Sequence, residues 1–195
     1  MITPTRERIL YAAAELFRRQ GYTGTGLKQV VAEAHAPFGS LYHHFPGGKQ
    51  QLADEVIRVG GAFFQDLVTA IYDAEPTADA AVRAVFLGAA ETLEATDFQD
   101  ACPIAAIALE VASTSDNLRR ATADVFELWT AALTARLGDH DQALAVLAAL
   151  EGAFILCRAQ RMTGPMLAAG EMATAFVTRP DETQCPGPPQ GQNTP

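Results

Sequence analysis

Strand-like runs, in which β-branched residues alternate with polar ones, are missing from this chain, so a sheet has nothing to be built from. Cysteine is scarce. Cys102, Cys157 and Cys185 are three, an odd number, widely spaced and without a CxxC pair. That excludes a disulfide framework, argues against a zinc site and fits a reducing compartment. No run of about 18 uncharged apolar residues is apparent, so no membrane span is expected. The start, MITPTRERILYAAAELF, lacks the unbroken apolar segment of a secretory signal. A nucleophile–base pairing, a phosphate loop and a metal constellation are also absent, so an enzyme is disfavoured and neither metal nor cofactor is expected. What remains is a soluble, cytoplasmic chain with no membrane partner. It has 195 residues, 49% of them apolar and many of them alanine, enough for one or two helical cores.

Basic charge is also in short supply: the net charge is -9, which by itself gives no hint of a polyanionic partner. The charge is uneven, however. Residues 1–58 carry seven Lys and Arg against five Asp and Glu, a net of +2, and the remainder carries -11. Three of the four histidines, His35, His43 and His44, lie in the first part. A mildly basic head on an acidic body suits a head that meets phosphate while the body is repelled by it.

The head has the punctuation of short helices. Thr5 is placed to cap a first helix running to Gln20, with Ile9, Ala13, Leu16 and Phe17 on one face, and Gly21 ends it. Thr25 caps a second helix from about Leu27 to Ala34. Pro37 suits the first turn of a third, which stops at Phe45 before Pro46-Gly47-Gly48. Lys49 then opens a long helix to about Asp73, with Leu52, Val56, Val59, Phe63 and Leu67 along one side.

Helix, turn, short helix and then a lysine is the layout of a helix-turn-helix DNA reader followed by a phosphate clamp. On a wheel of 100° per residue Leu41 and Phe45 face inward, toward Leu16, Phe17 and Val30, while Gly39, Ser40 and His43 face outward with Tyr42 and His44 on the flanks. Gly39 and Ser40 would let the backbone approach a major groove, and serine and histidine can bond base edges. Tyr42, Lys49, Thr25 and the amides at its helix start suit phosphate oxygens. His43 and His44, pointing about 100° apart with no partner at ligand spacing, do not make a metal site.

TGTGL followed by GSLYHHFPGGK closely resembles the DNA-binding head of the tetracycline-repressor (TetR) family, and the likeness runs from Arg6 to about Val59, taking in ILYAAAELFRRQGY. Together with the later ACPIAAIALE it looks like the LmrA/YxaF-like branch. The resemblance implies an all-helical, homodimeric repressor whose C-terminal domain binds a small, often drug-like or aromatic, effector. It also implies DNA contacts by Thr25, Ser40, Tyr42, His43 and Lys49. Two positions depart from the pattern. His35 stands where the turn has glycine, at a cost of about 1 kcal/mol for a left-handed backbone. Phe38 stands where a lysine often opens the reading helix. Its ring either touches a thymine methyl or lies partly buried beside Leu41, and its wheel angle favours burial. The candidate DNA-binding set is thus Thr25, Phe38, Gly39, Ser40, Tyr42, His43, His44 and Lys49, and the partner a double-stranded operator.

Beyond Glu75-Pro76 further helices are expected at about 78–94, 103–111, 116–137, 141–162 and 165–176. The expected architecture is all-α: a helix-turn-helix head over 1–48, a helical effector-binding and dimerisation domain over 49–179, and a disordered proline- and glycine-rich tail over 180–195. Cys102 and Cys157 suit buried packing more than redox chemistry, and Cys185 in the tail is expected to be exposed. Glu110, Glu151 and Arg158, set in apolar helices, either pair with one another or face solvent, or serve as the polar groups of a ligand cavity. The effector-pocket candidates are Phe86, Cys102, Glu110, Phe126, Trp129, Phe154, Arg158 and Met162. Two stripes on the last helices, Leu150, Phe154 and Cys157, and Met166, Gly170, Ala173 and Val177, are either core or the surface on which the chain pairs with itself. The competing class is a helical sensor or partner-docking protein whose reader has decayed through His35 and Phe38.

Overall fold

The computed structural model describes residues 3–178, and the described residues form nine helices and no strand. They are α1 (Thr5–Gly24), α2 (Leu27–Glu33), α3 (Phe38–His44), α4 (Gly48–Ala74), α5 (Ala78–Ala95), α6 (Pro103–Val111), α7 (Asp116–Leu137), α8 (His140–Gln160) and α9 (Gly164–Val177). The expected tail over 180–195, with Cys185, lies outside the described residues.

Local chemistry sets most of the boundaries. Thr77, Ser115 and Asp139 each accept the backbone N–H three residues on and so cap α5, α7 and α8. Pro103 and Pro165 occupy first turns, and Gly138 closes α7 in the left-handed conformation. In the head the caps differ from expectation. Thr5 is already helical behind Pro4, without a side-chain cap, and Gly26 rather than Thr25 precedes α2. Gly21 does break α1: at φ 80°, ψ 169° it kinks the chain, and Tyr22–Gly24 form a separate last turn.

The head's core is Ile9, Ala13, Phe17, Val30, Leu41 and Phe45, all fully buried. α4, about 40 Å long at 1.5 Å per residue, runs from this core into the body, where it packs on α5 and α7. In the body α9 lies close against α5. A Cβ on Gly170 would come within 2.8 Å of the Phe86 Cβ, so only glycine permits this approach. Similarly, Gly61 lets α4 meet Val125 of α7, and its carbonyl accepts the Trp129 indole N–H at 2.8 Å.

The pairing stripes are therefore corrected. Met166, Gly170 and Ala173 of α9, with Leu150 and Cys157 of α8, are buried within one chain, and Phe154 and Val177 are partly covered by the same core. Helical spacing revealed a face but not its partner. The apolar residues left outside are others: Leu144, Ile155 and Leu156 on α8, and Leu167 and Met172 on α9. α8 is long and apolar enough to cross a membrane by length and composition, although Glu151 and Arg158 interrupt any uncharged run within it. Its packing on α7 and α9 places it in the bundle.

Candidate nucleic-acid interface and effector cavity

α3 is divided cleanly. Leu41, and Phe45 just past the last turn, are fully enclosed, while Gly39, Tyr42 and His43 are exposed and Ser40 and His44 half-buried. Phe38 is 43% exposed and leans edge-on against Tyr42, with ring centroids 5.8 Å apart. It thus joins the outward rim instead of the interior beside Leu41. The His43 and His44 rings meet edge-on at 4.9 Å.

The turn before α3 passes through His35 at φ 48°, the left-handed conformation that glycine would take without strain. Arg8 holds it there. Its guanidinium donates from Nε to the Ala34 carbonyl at 3.0 Å and from Nη2 to the His35 carbonyl at 3.3 Å. No feature of the turn's own sequence announced this brace, which comes from α1.

Two members of the DNA-binding set are not where the sequence put them. Thr25 is 1% exposed; its hydroxyl donates to the Gly21 carbonyl at 2.7 Å and accepts from Gln20 Nε2 at 3.2 Å. With the side chain turned inward, it holds the kink and offers no oxygen outward. The Lys49 ammonium lies 4.4 Å from the Tyr22 ring centroid and 3.5 Å from the Thr23 carbonyl. Partial burial lowers its pKa, and the charge of Glu110 works the other way. It sits at the joint of head and body, more than on a free rim.

That joint is made by Glu110, which is corrected from a pocket group to a head contact. Its carboxylate accepts the Tyr22 N–H at 3.0 Å and the Thr23 N–H at 2.6 Å, just beyond the Gly21 kink. A Cβ on Gly21 would fall 2.0 Å from Glu110 Oε1, so the glycine is needed for the carboxylate as well as for its φ. Gln50 Nε2 donates to Ser115 Oγ at 3.2 Å nearby. The ACPIAAIALE stretch thereby acquires a reason for its final residue.

The other end of α6 borders a cavity of about 870 Å³ between α1, α4 and α5. Of the expected pocket set, Cys102 and Phe154 line this cavity and the rest do not. Trp129 borders a smaller space of about 40 Å³ beside it. Phe86 is sealed beneath Gly170, Phe126 packs edge-on against Trp129, and Met162 is 51% exposed on the outside. Arg158 donates to the carbonyls of Phe98 and Gln99, bracing the loop before α6. The wall residues that sequence missed include Tyr11, Val59, Phe63 and Leu67. The last three had been read as one side of α4, but not as that of a cavity wall.

Glu151 lies on α8 between Leu150 and Phe154 and behind Cys102. Both its oxygens are sealed from solvent with no hydrogen-bond partner. Burial pushes its carboxyl up to about 7, with Cys102 offsetting this only in part. Burial likewise pushes the Cys102 thiol well above its ordinary value, which makes it a poor nucleophile.

Comparison with known proteins matches both halves of the chain. The profile of the bacterial regulatory proteins of the tetR family matches residues 9–56, and that of the C-terminal domain of LmrA/YxaF-like transcriptional regulators matches 78–172. The HTH-type transcriptional regulator YxaF of Bacillus subtilis is 31% identical over 90% of this chain and 96% of its own. The chain belongs to the TetR family. LmrA of the same organism, also an HTH-type transcriptional regulator, is 30% identical over 84% of this chain and 91% of its own. A TetR-family regulator from Legionella pneumophila has the same fold, with a TM-score of 0.79 at 19% identity over 90% of this chain and 98% of that one. The regulatory protein TetR of Rhodobacter sphaeroides gives 0.77 at 20% identity, over 87% and 96%. This TetR-family chain is a DNA-binding transcriptional regulator of the helix-turn-helix type.

Proposed function

We propose that this regulator is a cytoplasmic repressor that binds a near-palindromic operator as a homodimer and is released by a small apolar or aromatic effector. The observation that carries the DNA reading is α3, a seven-residue helix anchored by buried Leu41 with Gly39, Tyr42 and His43 turned outward. Ser40 and His43 would bond base edges, Tyr42 would grip phosphate, and Phe38 and His44 would flank them. In this reading residues 1–48 are the reading head and 49–179 the effector and pairing domain.

Pairing is supported by the apolar residues left exposed on α8 and α9, which suit a twofold four-helix contact. A twofold axis calls for half-sites about one turn of DNA apart or slightly more. Release is supported by connectivity. α4 lines the cavity along Val56–Ile71 and reaches the head at Lys49, while α6 touches the cavity at Cys102–Pro103 and the head at Glu110. An effector that favours one seating of these two helices resets the spacing of the two heads, and it does so only through differential affinity for the two states.

Fluorescence anisotropy with the DNA upstream of the protein's own gene tests this. Binding should exceed that to random DNA of equal length, and His43→Ala should relax the preference at one base pair by about 1 kcal/mol or more. Equal losses on specific and random DNA would remove His43 from the reading surface. No preference for the upstream DNA in the intact protein would favour a helical sensor with a decayed reader.

A further inference from the structure

The large cavity is apolar in its bed and acidic in its lining. Phe63, Phe64, Leu67 and Val85 supply the bed from α4 and α5, and Leu10 and Tyr11 of the head close one side. Its charged lining is four carboxylates, Glu7, Glu15, Glu91 and Asp100, against a single guanidinium, Arg18. Arg18 is already engaged, with Nη2 at 2.5 Å from Glu15 and 3.1 Å from Asp100. Asp100 Oδ1 is sealed from solvent without a hydrogen bond, and Arg19 Nε stands 3.6 Å from it. Glu7 and Glu91, one from the head and one from the body, form no ion pair among the described residues.

We infer that this cavity binds an amphipathic cation, a flat apolar or aromatic body carrying an amine, seated between the head and the body. The bed rewards burial of an apolar ligand of any charge. The carboxylates then discriminate: an anion meets uncompensated like charge, a neutral ligand gains nothing from them, and an ammonium near Glu7 or Glu91 gains an attraction strengthened by the low-dielectric wall beside it. A volume of about 870 Å³ suits a drug-sized molecule. A second copy of the chain is a poorer occupant, although Tyr11 and Phe63 are 73% and 70% exposed at this site. Two acidic rims would face one another. The inference names the ligand class for the effector reading above and depends on that reading only for its effect on DNA.

Calorimetric titration of the full chain with three tricyclic probes tests it: 9-aminoacridine as the cation, acridone as the neutral form and acridine-9-carboxylate as the anion. The cation should bind once per chain, at least about ten-fold tighter than acridone, with the anion weakest and the gap narrowing as salt rises. Glu7→Gln with Glu91→Gln should weaken the cation about ten-fold and leave acridone unchanged. Gly88→Trp places its side chain in the cavity from a position where a Cβ meets nothing within 4 Å. It should weaken all binding at least about ten-fold with the helical spectrum and Tm retained. Equal or tighter binding of acridone or the anion overturns the inference, as does full cation affinity in Gly88→Trp. A Phe63→Glu variant that turns a dimer into a monomer assigns the groove to a second copy and also overturns it. If the cation binds as expected yet leaves operator affinity unchanged, the site stands and the effector reading falls.

Discussion

The contact of α5 with α9 and the contact of α1 with α6 are built from opposite materials. The first is closed by shape: Gly170 presses on Phe86 with no room for a methyl group. The second is closed in part by polar groups, with the Glu110 carboxylate on two backbone amides near solvent and Arg18 on the buried Asp100 just before α6. A close-packed contact has one solution, because moving either side opens voids or forces overlap. A polar one can open and re-form at modest net cost, since water replaces each lost partner. The body is fixed by the first kind of contact and joined to the head in part by the second, which is the division of labour that the proposed effector release calls for.

The sharpest way to break this comparison is at the shape-closed contact. Gly170→Leu should lower unfolding stability by about 3 kcal/mol, measured in urea. A loss near zero would mean that α9 can move as freely as the joint. Glu151 is a carboxylate buried in the body with neither oxygen hydrogen-bonded. Its folded-state pKa, about 7, lies above its ordinary 4.5, so the unfolded chain releases this proton first. The group's contribution to stability should therefore fall as pH rises from about 4.5 to about 7, by about 3 kcal/mol, with the penalty fully present above that window. Glu151→Gln should flatten the difference between urea midpoints at pH 4 and pH 8.

At the polar joint the effects should be smaller and should appear in binding. Glu110→Ala should weaken operator binding about ten-fold with little change in Tm, and Glu110→Gln, which keeps one acceptor, should recover part of it. An equal drop in Tm and affinity would make Glu110 a folding residue only. Smallest of all, Lys49→Ala should reduce the salt slope of DNA binding by less than the roughly 0.9 expected for one full phosphate contact. The reason is that its ammonium already leans on Tyr22 and Thr23.

What could be read from sequence follows the same divide. The all-helical class and most boundaries were legible because caps, prolines and periodicity act within a few residues. So was the split of α3, since a short helix with Leu41 and Phe45 on one side has a single way to pack. Thr25 was misplaced because a hydroxyl beside a helix start can serve either the next helix or, as here, the preceding kink. The Met166–Gly170–Ala173 stripe stayed open between core and pairing surface because periodicity defines a face and says nothing of what covers it. Glu110 was beyond reach: its partners are backbone amides 87 and 88 residues away, and an amide leaves no signature in a sequence.

The kink at Gly21 carries a consequence for how freely such regulators can be recombined. A reading head grafted onto this body from elsewhere would have to arrive with a missing side chain at that one place, because the body's own carboxylate occupies the vacancy. Heads and bodies that look like interchangeable modules along the chain are thus keyed to each other, and the key is an absence.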